Sequence, residues 1–346
     1  METLIRQLRQ RVRVPLIDVD SWFDSQFPSL ESQQKVLDQI CLVSESNPYY
    51  AQRVVKTIIE KLERHMDADS VILDGYYEKL FEVMRASPSV PTDTDVLGYT
   101  LQADSEDPDK DKVVLIKESP DLISGMGTTG LRTWEASLFL SQWLLRDFRS
   151  SGSLTRKSFE GKTILELGCG TGFVGICLYK YFRDQMKGLI FTDGDTQLID
   201  RISANLLLND ISIDSGDLKV CKLWWGEDDL PPIKIDTIVA ADVTYDASVI
   251  PDLAGILAEA MSQDNGEYGR VDTAYIAATV RNPSTIEAWE EYLDNGQHDR
   301  IWDWQIIDST ENGKYLERNR WDCIWYPVGV AQIKIYEIRR VIDNLD

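Results

Sequence analysis

The stretch Ile164-Leu165-Glu166-Leu167-Gly168-Cys169-Gly170-Thr171-Gly172 reads as an apolar strand, a tight glycine turn and the opening of a helix at Phe173. Glycines at such a turn let a ligand approach the backbone where a side chain would clash. Glu166, near the strand end, suits a ligand with a cationic or amino-rich part better than one carrying only phosphates. S-adenosylmethionine, with a sulfonium, an ammonium and no phosphate, has that chemistry. Gly170-Thr171-Gly172-Phe173-Val174-Gly175 also satisfies GxGxxG, so a dinucleotide cofactor stays open at this point.

Working outward, strand-like runs alternate with helical ones. The strands expected are Thr163–Leu167, Leu189–Thr192, Leu218–Leu223, Thr237–Ala240 and Ala274–Ala278. Between and after them lie helices near Phe173–Arg183, Thr196–Leu208, Ile250–Ser262 and Ser284–Asp294. Such alternation predicts a parallel sheet wound by helices, an α/β fold of Rossmann type. Trp304–Ile307 and Ala331–Ile338 have no helix-like pattern between them and predict a final antiparallel pair. Ahead of the sheet, Ala136, Phe139, Leu140, Trp143 and Leu144 give one helical face, with Thr133 as the expected N-cap.

The first 87 residues differ. Val36, Leu37, Ile40 and Cys41, then Val54, Val55, Ile58, Ile59 and Leu62, then Tyr76, Tyr77, Leu80, Phe81 and Met84 repeat at helical spacing. Ser87-Pro88-Ser89-Val90-Pro91 breaks the pattern. The boundary expected is therefore a helical domain over residues 1–90 and a catalytic domain over 91–346. Strands are expected at Gly98–Gln102 and Val113–Lys117, joined by an acidic loop over Asp104–Lys112.

A net charge of −22 argues against a nucleic-acid partner, which needs a basic footprint, and is compatible with a basic protein partner. No apolar run is long enough to span a bilayer, and five scattered cysteines without disulfide-like spacing suit a reducing, cytoplasmic setting. Two histidines and no CxxC pair make a metal site unexpected.

Beyond the turn, Asp193 lies 23 residues after Gly170 and is placed to accept ribose hydroxyls, unless it merely caps the helix at Thr196, for which Asp195 is better placed. Trp224 and Trp225 end a strand, so alternation would send one toward a cofactor and the other into the core. Ala241 is small enough for backbone to lie against a ligand. Asp242 and Tyr245 follow it, a carboxylate and a phenol that together suit a cationic amine.

Gly168–Gly175, Thr192-Asp193, Trp225-Gly226 and Asp242-Val243-Thr244-Tyr245 resemble the seven-strand protein lysine methyltransferases of methyltransferase family 16. Gly127-Thr128-Thr129-Gly130-Leu131-Arg132-Thr133-Trp134-Glu135-Ala136 looks like that family's Trp-Glu-Ala segment at the cofactor pocket. The extra N-terminal helices are most similar to the branch acting on eukaryotic elongation factor 2. The resemblance implies S-adenosylmethionine contacts at Trp134, Glu166, Gly168, Cys169, Gly170, Asp193, Trp225 and Ala241, and the lysine end at Asp242 and Tyr245. It implies a protein substrate, with N-terminal helices that recognise it. A chaperone or other protein substrate, an NAD-dependent oxidoreductase and a non-catalytic scaffold are the alternatives.

Overall fold

The computed structural model describes residues 1–23, 26–101, 112–122, 129–150, 152–262, 270–310, 324–327 and 329–341. The chain divides into two compact units, Met1–Leu122 with a short return ending at Trp325, and the rest. The first unit thus extends past the expected boundary at residue 90.

That unit contains α1 (Glu2–Arg9), α2 (Leu30–Ser46), α3 (Pro48–His65) and α4 (Asp74–Val83), followed by β1 (Asp95–Thr100) and β2 (Val113–Glu118). Ser29 and Asn47 cap α2 and α3 by accepting backbone N–H groups, and Pro48 opens α3 where its missing N–H costs nothing. The helical stripes bury Val36, Ile40, Val54, Val55, Ile58 and Leu62 in one apolar core. Helix α4 departs from the expected face: Tyr76 and Val83 are buried, whereas Tyr77, Phe81 and Met84 are exposed. The packed stripe runs through Tyr76, Leu80 and Val83, so the neighbouring stripe faces outward. Strands β1 and β2 form an antiparallel pair, and Arg11 ties the pair to the helices by gripping Asp95. This grip explains why the hairpin belongs with the helical unit. Gln102 and nearly all of the expected acidic loop lie outside the described residues.

The second unit opens with α5 (Glu135–Arg149) and α6 (Leu154–Phe159). It continues with β3 (Thr163–Leu167), α7 (Phe173–Phe182), β4 (Gly188–Asp193), α8 (Thr196–Leu208) and β5 (Leu218–Lys222). It ends with β6 (Thr237–Ala241), α9 (Ile250–Ser262), β7 (Thr273–Thr279), α10 (Pro283–His298), β8 (Trp302–Ser309) and β9 (Ile333–Arg340). The seven strands are ordered β5-β4-β3-β6-β7-β9-β8. All pairings are parallel up to β7, and β9 inserts antiparallel between β7 and β8.

Strand alternation divides the interior. Leu165, Leu167, Ile238, Ala240, Ile276 and Ala278 pack in one cluster with Leu253, Leu257 of α9 and Trp289 of α10. The residues between them point the other way: Tyr275 meets Trp143 of α5, and Glu166 meets Gly175 of α7. Helix α5 begins one residue later than an N-cap at Thr133 requires. Trp134 occupies the cap position without a side-chain bond, and the Thr133 hydroxyl pairs with that of Thr171, 2.9 Å away. The strand order reverses between β3 and its two neighbours, β4 and β6, so the carboxyl ends of these strands open a crevice where α/β sheets bind ligands.

Candidate functional site

A cavity of about 650 Å³ fills that crevice, within the range of sites for small organic ligands. Its wall brings together Trp134, Gly168, Cys169, Gly170, Asp193, Trp225, Ala241, Asp242 and Tyr245, residues drawn from the ends of four strands and the start of α5.

The glycine turn is shaped for close approach. Gly168, Gly170 and Gly172 all have positive φ, where a side chain is strained. A Cβ on Gly168 would also stand 2.8 Å from Val243 Cγ1 and 3.3 Å from the Trp225 ring. The turn is held from outside: Gly170 N donates to Asp193 Oδ2 at 2.9 Å, and Cys169 N donates to the Thr192 carbonyl at 2.9 Å. Asp193 therefore supports the turn as well as lining the cavity. Burial pushes its carboxyl up, and the N–H groups of Gly170 and Asp195 pull the other way. Asp195 is the cap of α8, accepting from Gln197 N. Burial pushes the Cys169 thiol well up, so this residue offers backbone and volume rather than a nucleophile.

Glu166 is the correction among the expected cofactor contacts. It does not line the cavity; strand alternation turns it toward α7, where its Oε2 accepts from Gly175 N at 2.9 Å. Its carboxyl is buried and pushed up to about 8 by that burial. Gly175 must be glycine here, since a Cβ would lie 2.2 Å from Phe191 and 2.5 Å from Glu166 Oε2. The third glycine of the GxGxxG pattern thus serves helix–strand packing. Glu166 thus satisfies one of the free N–H groups in the first turn of α7.

The two tryptophans also differ from expectation. Strand β5 ends at Lys222, so Trp224 and Trp225 lie beyond the pleat and both line the cavity. Trp225 packs on the core and on Gly168, whereas Trp224 is half exposed and lies against Gly194.

At the opposite end, Asp242 has φ +59° and is buried, its N–H donating to the Ala277 carbonyl at 2.8 Å. Its carboxylate is gripped by Arg281, with Nη1 to Oδ1 at 2.9 Å and Nη2 to Oδ2 at 2.6 Å. The Arg281 guanidinium also lies 4.6 Å from the centre of the Trp134 ring, and that of Arg132 lies 4.3 Å from it. Trp134 Nε1 donates to the Thr129 carbonyl at 3.0 Å, fixing the ring. Tyr245 is half exposed on the rim. Sequence reasoning gave no role to Arg281 or Arg132, and it chose Trp225 over Trp224 where both line the cavity. A basic residue two positions past the end of a central strand was the available signal for Arg281.

The cavity suits an adenosyl sulfonium. It offers a glycine cradle, aromatic walls and the carboxylates Asp193, Asp195, Asp242 and Asp252, with Arg132 and Lys222 as the cations among the described lining residues. Both cations are already paired, with Glu135 and Asp228. Among the described residues no cluster of His, Cys, Asp or Glu could hold a metal, and no helix is long and apolar enough to cross a membrane.

A seven-stranded sheet closed by an antiparallel pair, with a cavity of glycines, aromatic rings and carboxylates at its switch point, has the form of an S-adenosylmethionine-dependent methyltransferase. Comparison with known proteins agrees. Residues 116–281 match the lysine methyltransferase family. The chain is 29% identical over 313 residues to the protein-lysine N-methyltransferase EFM3 of Saccharomyces cerevisiae, covering 86% of this chain and 87% of that protein. It is 30% identical over 265 residues to the human protein-lysine N-methyltransferase EEF2KMT, covering 73% of this chain and 72% of that protein. A third relative, EFM3 of Chaetomium thermophilum, is 32% identical over 243 residues, 68% of this chain and 67% of that protein. The chain belongs to the lysine methyltransferase family, enzymes that take their methyl group from S-adenosylmethionine.

Proposed function

We propose that the chain methylates a lysine of translation elongation factor 2 in the cytoplasm, binding the methyl donor at the glycine turn and presenting the lysine at Asp242 and Tyr245. The observation that carries this reading is that one cavity holds both ends, from Gly168 and Asp193 to Asp242 and Tyr245. The choice of substrate is supported by the human relative, whose name points to elongation factor 2, and by the extra helical unit that precedes the catalytic one. The strong negative charge of the chain suits a basic face on the partner.

Gly168, Cys169 and Gly170 would offer backbone to the cofactor, Asp193 would accept its ribose hydroxyls, and Trp134, Trp225 and Ala241 would wall it. Glu166 would act at one remove, by holding α7. S-adenosylmethionine supplies a methyl group already activated by sulfonium charge. What the chain must add is position and a nucleophile in the right protonation state. A free lysine, with a pKa near 10.4, is almost wholly an ammonium at neutral pH and has no lone pair to offer. Asp242 accepts a hydrogen bond from the amine, Tyr245 limits its approach from the rim, and the surplus proton leaves to water. Catalysis on this reading is largely positioning.

The test is Asp242→Ala with purified elongation factor 2 and labelled donor. Transfer should fall by about 10²-fold or more, while donor affinity measured by calorimetry changes little. Near-normal transfer by that variant would remove Asp242 from the reaction.

A further inference from the structure

Arg281 is absent from the cavity wall although it grips a residue that forms it. Asp242 faces the cavity, and the guanidinium reaches the same carboxylate from the end of β7 while resting on Trp134. The pair is bidentate, which fixes the plane of the carboxylate as well as its place. A carboxylate offers about four lone-pair positions. Arg281 takes two, and Thr279 N approaches Oδ1 at 3.4 Å, so acceptor capacity is left over.

An isolated buried carboxylate at the lysine end would work against methyl transfer. It would favour the ammonium over the amine, because an opposite charge at contact distance stabilises the charged form. The reaction needs the reverse: a group that aims the amine without keeping it protonated.

We propose that Arg281 is a positioning residue that cancels the charge of Asp242, so that this carboxylate holds the substrate lysine as a neutral amine. The inference rests on the proposed function, since it takes Asp242 as the lysine end. Arg281 acts through Asp242 and does not itself line the cavity. Among the described residues, the other charged or titratable groups around the cavity are Arg132 and Lys222, each already paired, Tyr245, the Cys169 thiol, and the carboxylates Asp193, Asp195 and Asp252. Asp193 stands at the glycine turn, bonded to Gly170 N, and Asp195 caps α8. The contact pair that decides the charge at Asp242 is therefore its own arginine.

The experiment compares Arg281→Gln and Arg281→Lys with the wild type, as full chains, on purified elongation factor 2 with labelled donor from neutral to alkaline pH. If the wild type labels a different protein in a lysate, that protein is purified and used instead. Arg281→Gln should move the acidic limb of kcat, measured at saturating substrate and donor, to higher pH by about one unit, and Arg281→Lys should return it to the wild-type position. A second readout does not depend on turnover: at neutral pH, with S-adenosylhomocysteine present, Arg281→Gln should bind the unmethylated substrate up to about tenfold more tightly. Its ammonium would then meet an uncompensated carboxylate. A uniform loss of rate in Arg281→Gln with an unmoved limb and unchanged substrate affinity would overturn the inference and leave the proposed function standing. A wild type that labels no protein, or whose activity survives Asp242→Ala, would overturn the proposed function itself and this inference with it.

Discussion

The molecule contains two arginine–aspartate grips of similar geometry and opposite character. In the N-terminal unit, Arg11 binds Asp95 through Nε at 2.9 Å and Nη2 at 3.0 Å. In the catalytic unit, Arg281 binds Asp242 through both Nη atoms. Each pair includes one residue with left-handed backbone, Arg11 at φ +57° and Asp242 at φ +59°. The surroundings differ. Asp95 also accepts from Ser46 Oγ and Asn47 Nδ2, and Arg11 also donates to the carbonyls of Leu8, Arg9 and Val96. Among the described residues the Asp242 carboxylate has the backbone N–H of Thr279 as its one further donor, and the hydroxyls of Thr244 and Thr279 are buried without a hydrogen-bond partner. The first pair is saturated and sealed, with side-chain exposures of 8% and 4%. The second keeps spare acceptors at a cavity wall. Saturation is how a fold uses an ion pair to hold elements together, and spare valence beside a cavity is how it presents one to a ligand.

The largest effect that would break this contrast lies in the sealed pair. Asp95→Ala leaves a guanidinium buried without its carboxylate and should cost about 3–5 kcal/mol of stability, read from urea unfolding. Donor affinity should not change. Arg281→Gln should cost less, about 1–3 kcal/mol, because the glutamine amide can still donate to the buried Asp242 carboxylate and the arginine it replaces is itself 36% exposed. If Arg281→Gln unfolds the chain and Asp95→Ala does not, the roles assigned to the two pairs are reversed.

A third buried carboxyl, Glu166, sharpens the distinction between holding the fold and meeting the ligand. Burial pushes it up to about 8, above its unfolded value of 4.5. A carboxyl raised on folding binds a proton the unfolded chain has released. Its contribution is therefore fully present below about pH 4.5, is lost as pH rises through about 8, and changes no further above that. Glu166→Gln keeps an acceptor for Gly175 N and removes the titration. The variant should melt above the wild type at alkaline pH, with a flatter dependence of stability on pH, while retaining donor binding. Loss of donor binding at unchanged stability would restore Glu166 to the cofactor contacts that the family resemblance implied.

Glu166 also shows where a linear reading stops. Strand alternation was visible around it, since Leu165 and Leu167 flank it, but which face carried the cavity was not. The element order, the parallel sheet, the antiparallel end and part of the cavity wall were legible because each rests on local periodicity or on a short motif. Arg281 was not, because its partner Asp242 lies 39 residues earlier and only the parallel register of β6 and β7 brings the two together. The β1–β2 hairpin was assigned to the catalytic domain because Pro88 and Pro91 look like a boundary. The bond that decides its membership joins Arg11 to Asp95, across 84 residues. Long-range pairing of this kind leaves no trace in spacing.

The smallest effect separates the two tryptophans that sequence alternation wrongly set on opposite faces. Trp225 backs Gly168 and packs on the core, so Trp225→Ala should damage both stability and donor binding. Trp224 is 50% exposed and rests on Gly194, next to the carboxylate assigned to the ribose. If its indole covers one face of the adenine, removal forfeits a base–aromatic contact of about 1–3 kcal/mol. The residue is half exposed rather than enclosed, which puts the cost at the lower end, a loss of about fivefold in donor affinity. Trp224→Ala should therefore weaken donor binding in calorimetry, leave thermal stability unchanged, and leave methyl transfer at saturating donor close to wild type. Equal losses in Trp224→Ala and Trp225→Ala would mean that both rings belong to the donor pocket in the same sense. No loss in Trp224→Ala would reduce that residue to a cover for the Gly194 backbone.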